Sequence, residues 1–159
     1  MEGANVVFVP GLALWFGWPR SPTEIAAMVI SIIAAAGLLI VGTVFWRAVD
    51  RRLKSKDQGA VGGAVQFASA AQRPMALFTG AAIIAALIAL SRDGASSAVI
   101  AACALSLLAV LEYVNYYHLQ LQVFDNAADM RRLLSTRRLK RSHLARELAA
   151  RRQGSAQRR

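Results

Sequence analysis

Three blocks of the chain are almost free of charge: Ile25 to Phe45, Met75 to Leu90 and Ala95 to Leu111. Each runs for about 16 to 21 residues, close to the roughly 20 that a helix needs to cross a 30 Å hydrocarbon core. The pattern predicts an all-α membrane protein with three transmembrane helices, at about residues 22–46, 74–91 and 95–117. Together they make a three-span domain over 21–124.

Local signals agree with the blocks. Ser21-Pro22-Thr23-Glu24 offers a capping Ser, Pro at the first helical position and Glu three residues after the Ser, which starts the first span as a capping box. Trp46, Arg47 and the run Asp50 to Lys56 form an aromatic and basic stop at its other end. From Asp57 to Gln72 the residues turn to Gly, Ala, Ser and Gln, which reads as a mobile connector or a short surface-lying segment. Arg73-Pro74 then opens the second span, with Pro in its first turn. Ser91-Arg92-Asp93-Gly94 is a tight connection, so the second and third spans form an antiparallel hairpin.

The first twenty residues differ. Val6 to Trp18 is apolar but broken by Pro10-Gly11, and no Lys or Arg precedes Arg20, so it does not read as a secretory signal. It is too short to span, and Trp15, Phe16 and Trp18 suit a membrane boundary, which predicts an N-terminal interfacial or re-entrant segment over 1–20. A distorted fourth span is the alternative. Small residues recur at four-residue spacing on every span: Ala27, Ser31 and Ala35; Ala81, Ala85 and Ala89; Ala98, Ala102 and Ser106. Such ridges allow close helix approach in lipid, although alanine is also simply common here.

Composition supports the membrane reading, because 56% hydrophobic residues exceed the 45–50% usual for soluble domains. Charge adds orientation. The net charge of +10 collects on the Arg47 to Arg73 connector and on Asp125 to Arg159, while the Ser91 to Ser97 loop balances Arg92 with Asp93. With three spans both basic segments fall on one side, which the positive-inside rule makes cytoplasmic. The expectation is a multi-pass cell-membrane protein of a bacterial type of inner membrane, C-terminus cytoplasmic and N-terminus outside. The single cysteine, Cys103, sits in an apolar run and reads as a small membrane-buried side chain.

Candidate chemistry is confined to one place. Glu112, Asn115, Tyr116 and His118 enter the end of the third span, with Tyr113, Tyr117, Gln120 and Gln122 beside them. Helical spacing puts Glu112, Asn115, Tyr116, Leu119 and Gln122 on one face, with His118 turned away. An intramembrane carboxylate is a candidate proton or cation site, and Glu112 is accordingly expected to matter for assembly or activity. The plainer alternative is a polar clasp, in which Glu112 is neutralised, for instance by Arg47, and the tyrosines form an interfacial belt. His118 lacks companions at metal-ligand spacing, so no metal and no cofactor are expected.

Residues 125–159 form the basic cytoplasmic tail, read as helical and then disordered beyond Gln153. A stretch from Arg137 to Arg152 sets Leu144 and Leu148 against Arg137, Arg138, Lys140, Arg141, Arg146, Arg151 and Arg152. These basic residues suit the anionic headgroups of membrane lipids, and the leucines suit a groove on a protein partner. Nucleic acid is disfavoured, since no aromatic residue follows Phe124 to stack on a base. Phosphate loops, nucleophile elbows and paired helical histidines are missing. The expectation is therefore a non-catalytic accessory or scaffold subunit, not an enzyme, bound to lipid and to a protein partner or to further copies of itself. An oligomeric proton- or ion-coupled transporter or channel using Glu112 is the alternative.

Overall fold

The computed structural model describes residues 2–55, 58–119, 121, 131 and 141–156. Among the described residues the chain forms five helices: α1 (Glu2–Phe16), α2 (Pro22–Ser55), α3 (Gln58–Asp93), α4 (Ser97–Tyr117) and α5 (His143–Ala156). Among the described residues there are no strands, only one isolated bridge. Three stretches, Pro22–Lys54, Val61–Asp93 and Ser97–Tyr117, are long and apolar enough to cross a membrane, which fits a multi-pass membrane protein. The chain divides into two compact units, Met1–Glu112 and Tyr113–Arg159.

In the first unit α2 begins as its sequence dictates. Ser21 Oγ accepts from the Glu24 amide at 3.0 Å, and the Ser21 amide donates to Glu24 Oε2 at 3.2 Å, completing the capping box. Its inward face is Ala27, Met28, Ser31, Ala34, Ala35, Leu38, Val41, Phe45 and Ala48, all buried at three- and four-residue spacing. Ile25, Val29, Ile33 and Ile40 are exposed on the opposite side, the arrangement of a helix that meets protein on one face and lipid on the other.

The segment 58–72 is not a connector. It is the first part of α3, and Pro74 lies well inside that helix rather than at its start. The reason is a buried stripe, Val61, Ala64, Val65 and Ala68, that continues past the proline as Thr79, Ala82, Ala86 and Ala89. Among the described residues, α2 and α3 are in extensive contact. Packing along this stripe outweighs the weak helix propensity of Gly59, Gly62, Gly63 and Pro74. The hairpin connection between α3 and α4 is as expected, with Gly94 at φ 72°, a conformation glycine adopts without steric penalty.

The small-residue ridges are largely real. Ala27, Ser31, Ala35, Ala98, Ala102 and Ser106 are all buried, and Ser31 and Ser106 join α2 to α4 through a hydroxyl–hydroxyl hydrogen bond of 2.9 Å. On α3 the ridge is offset. Ala81 is exposed and the buried positions are Ala82, Ala86 and Ala89, because the stripe set by Val61 to Ala68 arrives on that face. Ala27, Ala89, Val99 and Ala102 form a fully buried cluster where α2, α3 and α4 meet, with Ala85 and Cys103 packed on it.

α1 is an apolar helix too short to span alone. One end of it meets the other end of α2, since a Cβ on Gly3 would stand 3.0 Å from Arg47 Nη2 and 3.7 Å from the Thr43 methyl. The other end is pressed on α4. A Cβ on Gly17 would stand 2.5 Å from the Ala98 nitrogen. α1 therefore lies lengthwise along the bundle, antiparallel to α2.

In the second unit α4 ends at Tyr117, and Ser142 both caps α5 and ties back to α4. Its Oγ accepts from the Ala145 amide at 3.1 Å and donates to the Tyr116 carbonyl at 2.5 Å. One side chain thus satisfies an orphan donor of α5 and an orphan acceptor of α4. An antiparallel bridge between Leu119 and Arg141 and a bond from the Ser142 amide to the His118 carbonyl extend the junction. α5 continues to Ala156, past the expected onset of disorder at Gln153, since Arg151, Arg152 and Gln153 are good helix formers.

Candidate functional site

Glu112 is half-buried in α4, with Oε2 shielded from solvent, and the residue is engaged in a polar interaction. Its expected partner Arg47 is not brought near. Ser31 pairs with Ser106, and α2 and α4 run in the same direction, so Glu112 is level with Gly37. Arg47 stands ten residues further along α2, about 15 Å of rise away, and lies against Gly3 of α1. A polar clasp between Glu112 and Arg47 is therefore not formed.

The other ladder residues belong to the second unit. Asn115 Oδ1 accepts from the Leu121 amide at 2.9 Å, and the Tyr116 carbonyl accepts from Ser142. Tyr113 packs on Tyr117 with ring centroids 4.9 Å apart and on His118 at 5.7 Å. His118 is thus not turned away. Its amide still donates to the Val114 carbonyl at 3.0 Å as in a helix, and its ring reaches Tyr113, one position round from the Glu112 face. Gln120 and Gln122 fall outside the described residues.

On the tail, Arg137, Arg138 and Lys140 likewise fall outside the described residues, and of Arg151 and Arg152 only the helical backbone is described. Arg141 and Arg146 are exposed. Leu144 and Leu148, expected to offer an apolar face to a partner groove, are buried within the chain at 1% and 5% exposure. The leucines of α5 are already covered within the chain.

Among the described residues, a dense polar network lies elsewhere, at the Gly94 end of the first unit. Glu24 Oε2 accepts from the Arg20 amide at 2.6 Å as well as from Ser21, and Glu24 Oε1 accepts from Ser96 Oγ. Ser96 Oγ in turn accepts from the Val99 amide at 3.2 Å, as the cap of α4. Beside it, Asp93 Oδ2 accepts from Ser21 Oγ at 2.9 Å and from Thr23 Oγ1. Two carboxylates and three hydroxyls thereby lock the start of α2 to the α3–α4 turn. The first half of this network was legible as a capping box. The second half follows once three spans are counted, because that count brings the Ser21 to Glu24 and Asp93 to Ser96 segments to the same end.

Each hydrogen bond in the network closes within the chain, so its chemistry is that of a latch. Glu24→Ala, which removes the acceptor for three donors at once, is expected to lower the melting temperature in detergent. Glu24→Gln, which keeps one acceptor oxygen, is expected to lower it less. The ordering of the two melting curves is the check.

Among the described residues no three His, Cys, Asp or Glu side chains come together as a metal site. No protein-family model, no curated protein and no solved structure matches the chain.

Proposed function

We propose that the chain is a non-catalytic accessory or scaffold subunit of a cell membrane that presents its basic C-terminal helix to anionic lipid headgroups. The observation that carries this reading is the division of α5. Leu144 and Leu148 are buried within the chain, while Arg141 and Arg146 are exposed. Among the described side chains, Arg141 just before α5 and Arg146 within it face outward, while the large apolar side chains of α5 do not. The cap by Ser142 supports it further, because it holds the first turn of α5 directly after the last turn of a membrane-length helix. Proximity is what adsorption needs, since each basic residue near an anionic surface contributes about 1 kcal/mol. The positive-inside rule sets this face and the Arg47 to Lys56 run in the cytoplasm.

The test is amide hydrogen exchange across 141–156 in the full-length protein, reconstituted in bilayers with and without anionic lipid. Anionic lipid is expected to slow exchange, and raising salt from 50 to about 500 mM is expected to reverse the effect as the Debye length shortens. Charge reversal at Arg141 and Arg146 should weaken it in the same way. Exchange that ignores both lipid charge and salt overturns the lipid reading. A different protein that co-purifies and protects the same residues would make the tail a subunit contact.

A further inference from the structure

Between α1 and α4 runs a cleft of about 470 Å³. Its walls are Val9, Leu12 and Phe16 on one side and Ala101, Ala104 and Leu108 on the other, and no polar side chain lines it. The cleft has a structural origin. α1 and α4 meet backbone to backbone at Gly17 and Ser97, and α1 touches α2 near Thr43 and Arg47 at its other end. Between these two pinned points α1 contains Pro10, which removes one helical hydrogen bond of α1. The small residues Ala101 and Ala104 leave the facing wall low.

We propose that this cleft holds one acyl chain of a bilayer phospholipid, with the headgroup at the Gly94 end. Size and lining favour this occupant. A void of this volume at the depth of a membrane-spanning helix leaves its lining atoms without contacts unless hydrocarbon enters. An α-helix is about 10 Å across with its side chains, too wide for a cleft whose walls close on each other at Gly17. A single chain fits between them. The cleft is open along its side, and just beyond its closed Gly17 end lie the groups that suit a lipid headgroup region. Trp15 and Trp18 are 83% and 74% exposed, and Arg20 follows them, exposed, as the cation for a phosphate. On this reading α1 is a clasp that turns a boundary lipid into a bound one.

The experiment uses the full chain in vesicles of phosphatidylglycerol and phosphatidylcholine carrying a trace of phospholipid with a photoactivatable acyl chain. The comparison is internal, because Leu77, Ile84 and Leu87 on α3 are 75%, 61% and 58% exposed and report ordinary boundary lipid. Adducts on the α1 and α4 cleft residues are expected to exceed those on the α3 face at least tenfold. Native mass spectrometry is expected to show one retained phospholipid per chain. Ala104→Trp, which fills the cleft from its lower wall, is expected to erase the excess while labelling of α3 stays constant. Equal labelling of cleft and α3 face in the parent protein overturns the proposal without reference to any variant. So does a retained isoprenoid in place of a phospholipid, or a protomer-to-protomer disulfide formed between Leu12→Cys and Leu108→Cys chains.

Discussion

Ala102→Leu is expected to destabilise the bundle by about 3 kcal/mol, at the upper end of what overpacking a filled core costs. Ala102 is fully buried with Ala27, Ala89 and Val99, and the side chains around it come from three different helices. Three extra carbons at that point must push α2, α3 and α4 apart together, which also stretches the Ser31–Ser106 hydrogen bond one turn further along. Because lipid offers helices no hydrophobic reason to associate, close packing is most of what holds them, and the loss is felt directly. Ala104→Leu supplies the control. It adds the same atoms on the same helix but toward the cleft, and is expected to leave thermal stability within about 0.5 kcal/mol of the parent. Melting curves of the two variants in one detergent decide the matter. Equal melting points would mean that the three-helix contact is looser than the buried areas indicate.

Gly17→Ala is expected to be the second most damaging change, at about 2 kcal/mol, or roughly 4 to 8 °C in melting temperature for a chain of this size. A methyl group there meets the Ser97 oxygen and the Ala98 nitrogen, each 2.5 Å away, and main chain at a helix start cannot step aside. The position of other glycines makes this specific. A Cβ on Gly37 meets Met75 Sδ at 2.7 Å, and a thioether at the end of a flexible side chain swings away, so Gly37→Ala is expected to cost less. A Cβ on Gly80 meets nothing within 4 Å, so Gly80→Ala is expected to be neutral or slightly stabilising through improved helix propensity. The order Gly17, Gly37, Gly80 in melting temperature is the measurement. A Gly17→Ala protein that melts with Gly80→Ala would show that α1 does not lean on α4.

The parts of this fold that were legible in the sequence are those written within one helix. Charge-free blocks gave the three membrane-length helices, and Ser21 to Glu24 closes its capping box in the expected way. The Ala27-Ser31-Ala35 and Ala98-Ala102-Ser106 ridges are buried because four-residue spacing alone defines a face. What needed a partner stayed hidden. Val61, Ala64, Val65 and Ala68 form a stripe only in relation to α2, and their Gly-rich surroundings masked it. The pairing of Glu112 with Arg47 failed for a related reason. Each residue was placed correctly on its own helix, but the register between helices is set by Ser31 and Ser106, which no spacing rule reports. The capping box accounts for one carboxylate oxygen of Glu24, while the other serves Ser96, 72 residues away in sequence.

α2 and α3, at 34 and 36 residues, are each about 50 Å long, whereas a hydrocarbon core is about 30 Å thick. With the core beginning at Pro22, the paired helices overhang it by roughly 20 Å, a rigid mast carrying Arg51, Arg52, Lys54 and the 76%-exposed Leu53 near its tip. At physiological ionic strength the field of a charged leaflet decays over about 8 Å. Headgroups add about 5 to 7 Å on each side of the hydrocarbon, so these charges stand only about one to one and a half such lengths from the charged leaflet, where its field is weakened and tuned by salt but still felt.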